Sequence, residues 1–487
     1  MSMASSIVLF AQTPVEDWAA LIGYHNATVD FFDSADALKV DGNNRVVVAG
    51  SGAPGTGIGC LNKFSTFTGV SGSNGFVVSS GGTVSPNATL MKDSSGDVYA
   101  LYTLTHDSPV SGATTSSFTV LSLNSTTGAG SSYIHGRGAY SFSDSPTTTM
   151  TTGAFDSSDN FYGAGLIREG GATEYPYLVK YNTSAAVQWS VCLQPNKSKA
   201  ANAPYCTLAS GVVVDSSGNS YITVRHYESP PSSTFSLKLL KYNASGTQQF
   251  VRLINSASAG DNIQATDGTN IYAANTSGVV TAFSCSTGAI VWQKQITTLG
   301  SITNANLIIF SNNLYVGFFG SNNKMYLVKM NTSGTLDWNR ELDAGTSGGL
   351  NFLTGKLQDV ISNKMYCLFE GPVSAQGVTV VKLPIDGTKT GSYVLPNIIS
   401  IPGSQPYTYS PTDDTIVYAS GSLSASAFSS GTSTSSTLSD TTTSGFTTSD
   451  VTQVTFGVAV TQSGIDGALA PTNVFDPVTL FTKRTIV

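Results

Sequence analysis

The 487-residue sequence predicts an all-β fold assembled from a repeated double hairpin, and three observations carry that prediction. The first is composition: 11% of residues are charged, against about a quarter in an average soluble chain. Gly, Ser, Thr and Asn fill the difference, which suits short strands joined by many turns. The second is a recurring phrase, an apolar run, a small polar turn and a second β-rich run, typified by "GVVVDSSGNSYITV" from Gly211. The third is a companion phrase lying between successive copies of the first, as in "LVKYNTSAAVQWSV" from Leu178 and "LVKMNTSGTLDWNR" from Leu327. Two hairpins per period make four strands, and four strands per period make one blade of a β-propeller.

Along the chain, the N-terminal segment 1–36 comes first. In "TPVEDWAALIG", Thr13 suits a helix cap with Glu16 reaching back, Pro14 suits the first turn and Gly23 the end. Val15, Trp18, Ala19 and Ile22 then share a face, so one short helix outside the ring is expected. The propeller is expected over 37–419. Its first phrase recurs with the Tyr position at Val47, Tyr99, Tyr162, Tyr221, Tyr272, Tyr315, Tyr366 and Tyr418, in steps of 43 to 63 residues. Propeller repeats run at roughly 40 to 50. The recurrent Tyr inside a strand is expected to pack between neighbouring blades. Trp189, Phe250, Trp292 and Trp338 occupy matching places in the second phrase. Seven copies are followed by a partner hairpin, and the eighth, at Tyr418, runs into a Ser/Thr-rich stretch. Seven blades are therefore expected, with eight as the alternative. The segment 420–487 reads as a Ser/Thr-rich β extension, with strands over Val451–Val460 and Thr479–Val487. Val454, Phe456, Val458 and Val460 make a low-charge strand expected to pair with a partner or a neighbouring copy.

The Asp-x-x-Gly-Asn-x-Tyr pattern of Asp215, Gly218, Asn219 and Tyr221 resembles the blade signature of NHL- and SBBP-type propellers. "AFSCSTGAIVWQ", Ala282 to Gln293, is similar to the tryptophan-docking phrase of quinoprotein propellers. The resemblance covers about Ala37 to Leu395 and implies architecture rather than activity. A quinoprotein also implies adjacent cysteines and an acidic calcium site, whereas Cys285 is followed by Ser286 and no two cysteines adjoin. No quinone or other cofactor is expected.

In a propeller the Asp turns and the Asn182, Asn243 and Asn331 turns share one face, and the variable connections share the other. Loops carry function disproportionately. The strongest polar groups assigned to the variable face are His106, His135, Arg137, Arg168, His226 and Glu228, which form the candidate binding set. The three histidines come from different blades, and no spacing forces them onto one metal. "DSSGD" at Asp93–Asp97 lacks the third oxygen ligand and distal Glu of an EF-hand and reads as turn chemistry. Cys60, Cys192, Cys206, Cys285 and Cys367 are spread without a CxxC pair and are expected as free thiols, with a Cys192–Cys206 bridge as the alternative. The sequence contains no nucleophile elbow, HExxH helix or phosphate loop, so no enzyme activity is expected.

A net charge of −7 without a Lys/Arg block excludes broad nucleic-acid binding. The N-terminus lacks a basic flank, and its apolar run Ile7–Phe10 is too short for a signal peptide or membrane span. Cytoplasmic synthesis without membrane insertion is expected. Low charge, no signal and a Ser/Thr/Gly-rich β terminus together resemble virion structural proteins of tailed bacteriophages. That resemblance implies a tail component, at a nozzle, baseplate or fibre-docking surface, with other virion proteins as partners and a homo-oligomeric ring as its assembly. The alternative is a propeller that binds a receptor or host-surface glycan through its variable loops.

Overall fold

The computed structural model describes residues 18–22, 24–26, 29–31, 34–52, 61–67, 73–78, 83–84, 89–107, 114–123, 130–136, 147–169, 173–192, 205–208, 211–227, 236–254, 263–297, 299–343, 354–370, 378–388, 391–394, 415–420, 424–427, 433–434 and 458–461. Among these, seven antiparallel sheets of four or more strands follow one another around an axis, and together they form a β-propeller. Blade 1 is Ser34–Val40, Val46–Gly52, Leu61–Phe67 and Ser73–Val78. The second strands of blades 2 to 7 are Val98–Asp107, Phe161–Glu169, Ser220–Tyr227, Asn270–Ala274, Asn313–Gly320 and Lys364–Glu370. The inner strands pack side by side round the ring, ending with Gly355–Ile361 of blade 7 against Ser34–Val40 of blade 1.

The hairpin between the first two strands of a blade forms because its Asp satisfies the turn. Asp215 Oδ1 accepts the backbone N–H of Ser217 and of Asn219, each at 2.9 Å. Oδ2 accepts Asn219 Nδ2 at 2.8 Å and the Tyr221 hydroxyl at 2.9 Å. The same set recurs at Asp156 with Asn160 and Tyr162, and in reduced form at Asp93 with Tyr99 and at Asp267 with Tyr272. Each carboxylate is occupied by donors from its own turn, which is side-chain turn chemistry that fixes the hairpin. Tyr162, Tyr221, Tyr272, Tyr315 and Tyr366 are among the largest fully buried side chains. The Tyr162 hydroxyl also lies 3.0 Å from Gly218 O in the next blade, and that of Tyr272 3.4 Å from Thr332 O, each sharing its one proton between carboxylate and carbonyl. The tyrosines thus lie between blades.

A second contact series joins the outer strands. Trp189 of blade 3 donates its indole N–H to Ala244 O of blade 4 at 2.9 Å. Trp292 of blade 5 does so to Thr332 O of blade 6 at 3.0 Å, and Trp338 of blade 6 to Ile385 O of blade 7 at 3.1 Å. In each case a turn glycine two residues after that carbonyl lies flat on the indole. Gly246, Gly334 and Gly387 have φ of 80°, 82° and 67°, and a Cβ built on them meets the ring at 2.7, 3.0 and 2.7 Å. Blade 4 carries Phe250 instead, which has no N–H, and Arg252 Nε supplies the donor to Thr287 O beside Gly288. The docking arrangement therefore joins blades 3 through 7 consecutively, where the sequence shows one strong copy.

The termini correct two expectations. Trp18–Ile22 is a strand, not a helix: it pairs antiparallel with Val378–Pro384 of blade 7, from Trp18 opposite Lys382 to Ile22 opposite Val378. Thr13 to Asp17 lie outside the described residues. An isolated helix of about ten residues is marginal, whereas the open edge of blade 7 offers a ladder for every backbone group, so pairing overrides the local helix pattern. The eighth phrase is not a blade either. Tyr418 belongs to Thr415–Ser420, which adds to the outer strand Leu336–Asp343 of blade 6, with Gly391–Val394 beyond it. The ring is already closed between blades 7 and 1, leaving that segment only the rim.

The extension continues along the rim in reverse blade order. Ser424–Ala427 adds to blade 5, Ser433–Thr434 to blade 4, and Val458–Thr461 to blade 2. Among the described residues, the outermost strands of blades 1, 3 and 7, Ser73–Val78, Val187–Cys192 and Trp18–Ile22, carry no added strand.

Candidate functional site

A channel of about 990 Å³ runs along the axis, walled by residues from the inner strands of all seven blades, with Arg225 and Leu166 reaching in from second strands. Inner strands present one backbone edge to the axis, so the wall is polar by construction. Its side chains add to this: Thr89, Thr151, Thr152 and Thr303 bring hydroxyls, and Gln264, Asn304, Asn306 and Gln358 bring amides. Among the described lining residues three are cations, Lys39 of blade 1, Arg225 of blade 4 and Lys356 of blade 7, and none is Asp or Glu.

The nearest carboxylate is directed into the protein. Asp359, 4% exposed, accepts Val40 N at 2.8 Å, Lys92 Nζ at 2.7 Å and Val360 N at 3.0 Å, and so clamps blades 7, 1 and 2 together. Lys39 Nζ donates to Gln358 O at 2.8 Å. Burial holds the Lys39 ammonium below the ordinary lysine range; Asp359 opposes the shift, and Lys92 adds to it. Across the ring, Gln264 Nε2 donates to Ala305 O at 2.8 Å, bridging blades 5 and 6. Gln264 Oε1 and Asn306 Oδ1 are buried without a hydrogen-bond partner among the described residues.

Of the six residues anticipated for the variable face, four are described. His106 and Arg168 lie near the far ends of the second strands of blades 2 and 3, His226 in the corresponding place in blade 4, and His135 at the end of the outer strand of blade 2. Arg137 and Glu228 lie outside the described residues. The backbone therefore brings four of the six to one face of three consecutive blades. Of the anticipated pairing strand, Val458 and Val460 lie opposite His135 and Tyr133 of the same chain. Val454 and Phe456 lie outside the described residues. Cys285 and Cys367 are buried free thiols, and burial pushes both above the ordinary thiol range. Among the described residues no group of three or more His, Cys, Asp or Glu is placed to hold a metal.

Sequence reasoning passed over Lys39 and Lys356. Their signal was present: each stands in the inner strand of a repeat, and Lys39 in "ALKVDG" takes the place that Ala154 and Val213 hold in blades 3 and 4.

Neither a protein-family model nor a curated protein matches the sequence. Solved structures do. BamB from Moraxella catarrhalis is 13% identical, with 75% of this chain and 100% of that one covered and a TM-score of 0.35. The polysaccharide lyase Uly1 is 10% identical over 77% of this chain and 94% of the other, with a TM-score of 0.42. A protein of unknown function from Dyadobacter fermentans is 11% identical over 76% and 98%, with a TM-score of 0.41. These likenesses say nothing of function, and it is the order of the chain's own sheets that makes it a β-propeller.

Proposed function

We propose that the chain is a non-enzymatic structural component of a tailed-phage virion, whose propeller serves in the tail as part of a nozzle, baseplate or fibre-docking surface. The observation that carries this reading is the rim. Added strands from the chain's own C-terminal region cover the outer edges of blades 6, 5, 4 and 2, while among the described residues those of blades 1, 3 and 7 stay open. An open edge is a template for strand addition, and a ring locked by Tyr and Trp contacts is a rigid support for such contacts. Few charges and Ser/Thr-rich rim segments agree with a surface that works by packing. Immunogold labelling of purified tailed particles with an antibody to this chain tests it. Label confined to tails supports the assignment, and particles devoid of the chain overturn it.

The alternative, recognition of a receptor or glycan by the loop face, draws on the placement of His106, His135, Arg168 and His226 at that end of blades 2 to 4. Isolated propeller that binds host cells without other virion proteins favours it over the assembly role.

A further inference from the structure

The axial channel has a chemistry that the assembly reading does not use. The chain carries a net charge of −7, yet the described wall of its axial channel holds three cations and no carboxylate. The cations are also spread out. Lys39 lies two residues before the turn residue Asp41 on blade 1, toward the turn face; Lys356 lies at the loop-side end of the inner strand of blade 7. Arg225 stands on blade 4, across the ring from both. A lone phosphate or sulfate suits a tight cluster of donors. Cations separated around and along a channel suit a ligand bearing several anionic groups at intervals.

Between the cations the wall offers hydroxyls and amides, the complement of a ligand rich in hydroxyl groups. Gln264 Oε1 and Asn306 Oδ1 belong to side chains of this wall and lack a protein donor among the described residues. The described lining residues include no aromatic side chain, so the described wall has none of the stacking platforms that hold the bases of single-stranded nucleic acid. A volume of about 990 Å³ lies at the top of the range for ligand sites. We propose that the axial channel binds an acidic oligosaccharide, its carboxylates held by Lys39, Lys356 and Arg225 and its hydroxyls by the Thr and amide wall. This does not depend on the virion assignment.

Calorimetric titration of the full-length protein with trigalacturonate, neutral maltotriose and triglutamate tests the proposal. Trigalacturonate is expected to bind at one site, with maltotriose and triglutamate each at least about tenfold weaker. Lys356→Gln is expected to weaken trigalacturonate about tenfold or more, the scale of one lost charge-assisted hydrogen bond, with an unchanged unfolding temperature. Lys39→Gln and Arg225→Gln repeat the test from two other strands, so a variant that fails to fold leaves the others to decide. No trigalacturonate binding at millimolar concentration overturns the proposal, as does undiminished binding in the folded variants. Triglutamate binding as tightly as the sugar also overturns it, in favour of an acidic peptide.

Discussion

Replacing Gly246 by Ala tests whether the indole docks hold the blades together. Gly246 has φ of 80°, a left-handed conformation that costs an L-residue about 1 to 2 kcal/mol. The added methyl also meets Trp189 Cδ2 at 2.7 Å and Cγ at 2.8 Å, with the indole fixed by its bond to Ala244 O at 2.9 Å. Displacing a packed ring of this kind costs about 1 to 3 kcal/mol. Together the substitution should destabilise the protein by about 2 to 5 kcal/mol, read as a fall in the urea midpoint. The two contributions separate in a double-mutant cycle. With Trp189→Ala already in place the clash is gone, and Gly246→Ala should then cost only the backbone component of about 1 to 2 kcal/mol. Equal cost in both backgrounds would refute the dock as an inter-blade contact, because the methyl would then be indifferent to the indole.

The buried phenols make the fold sensitive to alkali. Burial first and the neighbouring carboxylates second push Tyr99, Tyr315 and Tyr366 up to about 12, so the folded chain keeps them protonated where an unfolded chain ionises from about pH 10. Their stabilising contribution is complete below that pH and is lost as pH rises toward 12; ultraviolet titration should show a late set of phenols appearing together with unfolding, and free ionisation of all phenols near pH 10 in folded protein would contradict this. Asp359→Ala strands Lys92 in a site where its side chain is 22% exposed and unclamps blades 7, 1 and 2; a loss of about 3 to 5 kcal/mol is expected from denaturant unfolding, and a loss below 1 kcal/mol would dismiss the clamp. Tyr221→Phe removes one donor from Asp215 while keeping the ring, and should cost about 0.5 to 1.5 kcal/mol in the same assay. Deleting residues 1–23 removes the closing strand of blade 7 and should lower the unfolding temperature far more than deleting 428–487, whose described strands lie on the rim; the reverse order would show that closure lies elsewhere.

The parts legible in the sequence are those whose chemistry is local. Asp215, Asn219 and Tyr221 satisfy one another within seven residues, so the phrase declares both the hairpin and the burial of its Tyr. The Trp189 dock was half legible: the indole recurs in register, but its partner is a glycine one blade on, and a turn glycine looks the same whether or not a ring lies on it. Closure was illegible because Trp18–Ile22 is chosen by an edge at the far end of the chain, and local propensity says nothing of that edge. The channel has the same cause. Lys39 and Gln358 meet across 319 residues, and only the completed ring makes a lysine on one inner strand and another on the last share a wall. Rim strands such as Ser424–Ala427 are strands because of the ladder they meet, since their Ser/Ala sequence has no β preference of its own.

The reverse course of the rim strands has a mechanical consequence. A pull applied outward beyond Thr461 would load the short ladders in series and not together. Val458–Thr461 would peel from blade 2 first, then Ser433–Thr434 from blade 4, Ser424–Ala427 from blade 5, and Thr415–Ser420 from blade 6. Each ladder would open like a zipper, a few hydrogen bonds at a time, and none of these steps would touch the strand that closes the ring at Trp18–Ile22. Tension at that end would thus be spent in paying out chain, leaving the disc whole, and a single-molecule trace should show several small steps before the large rupture of the propeller.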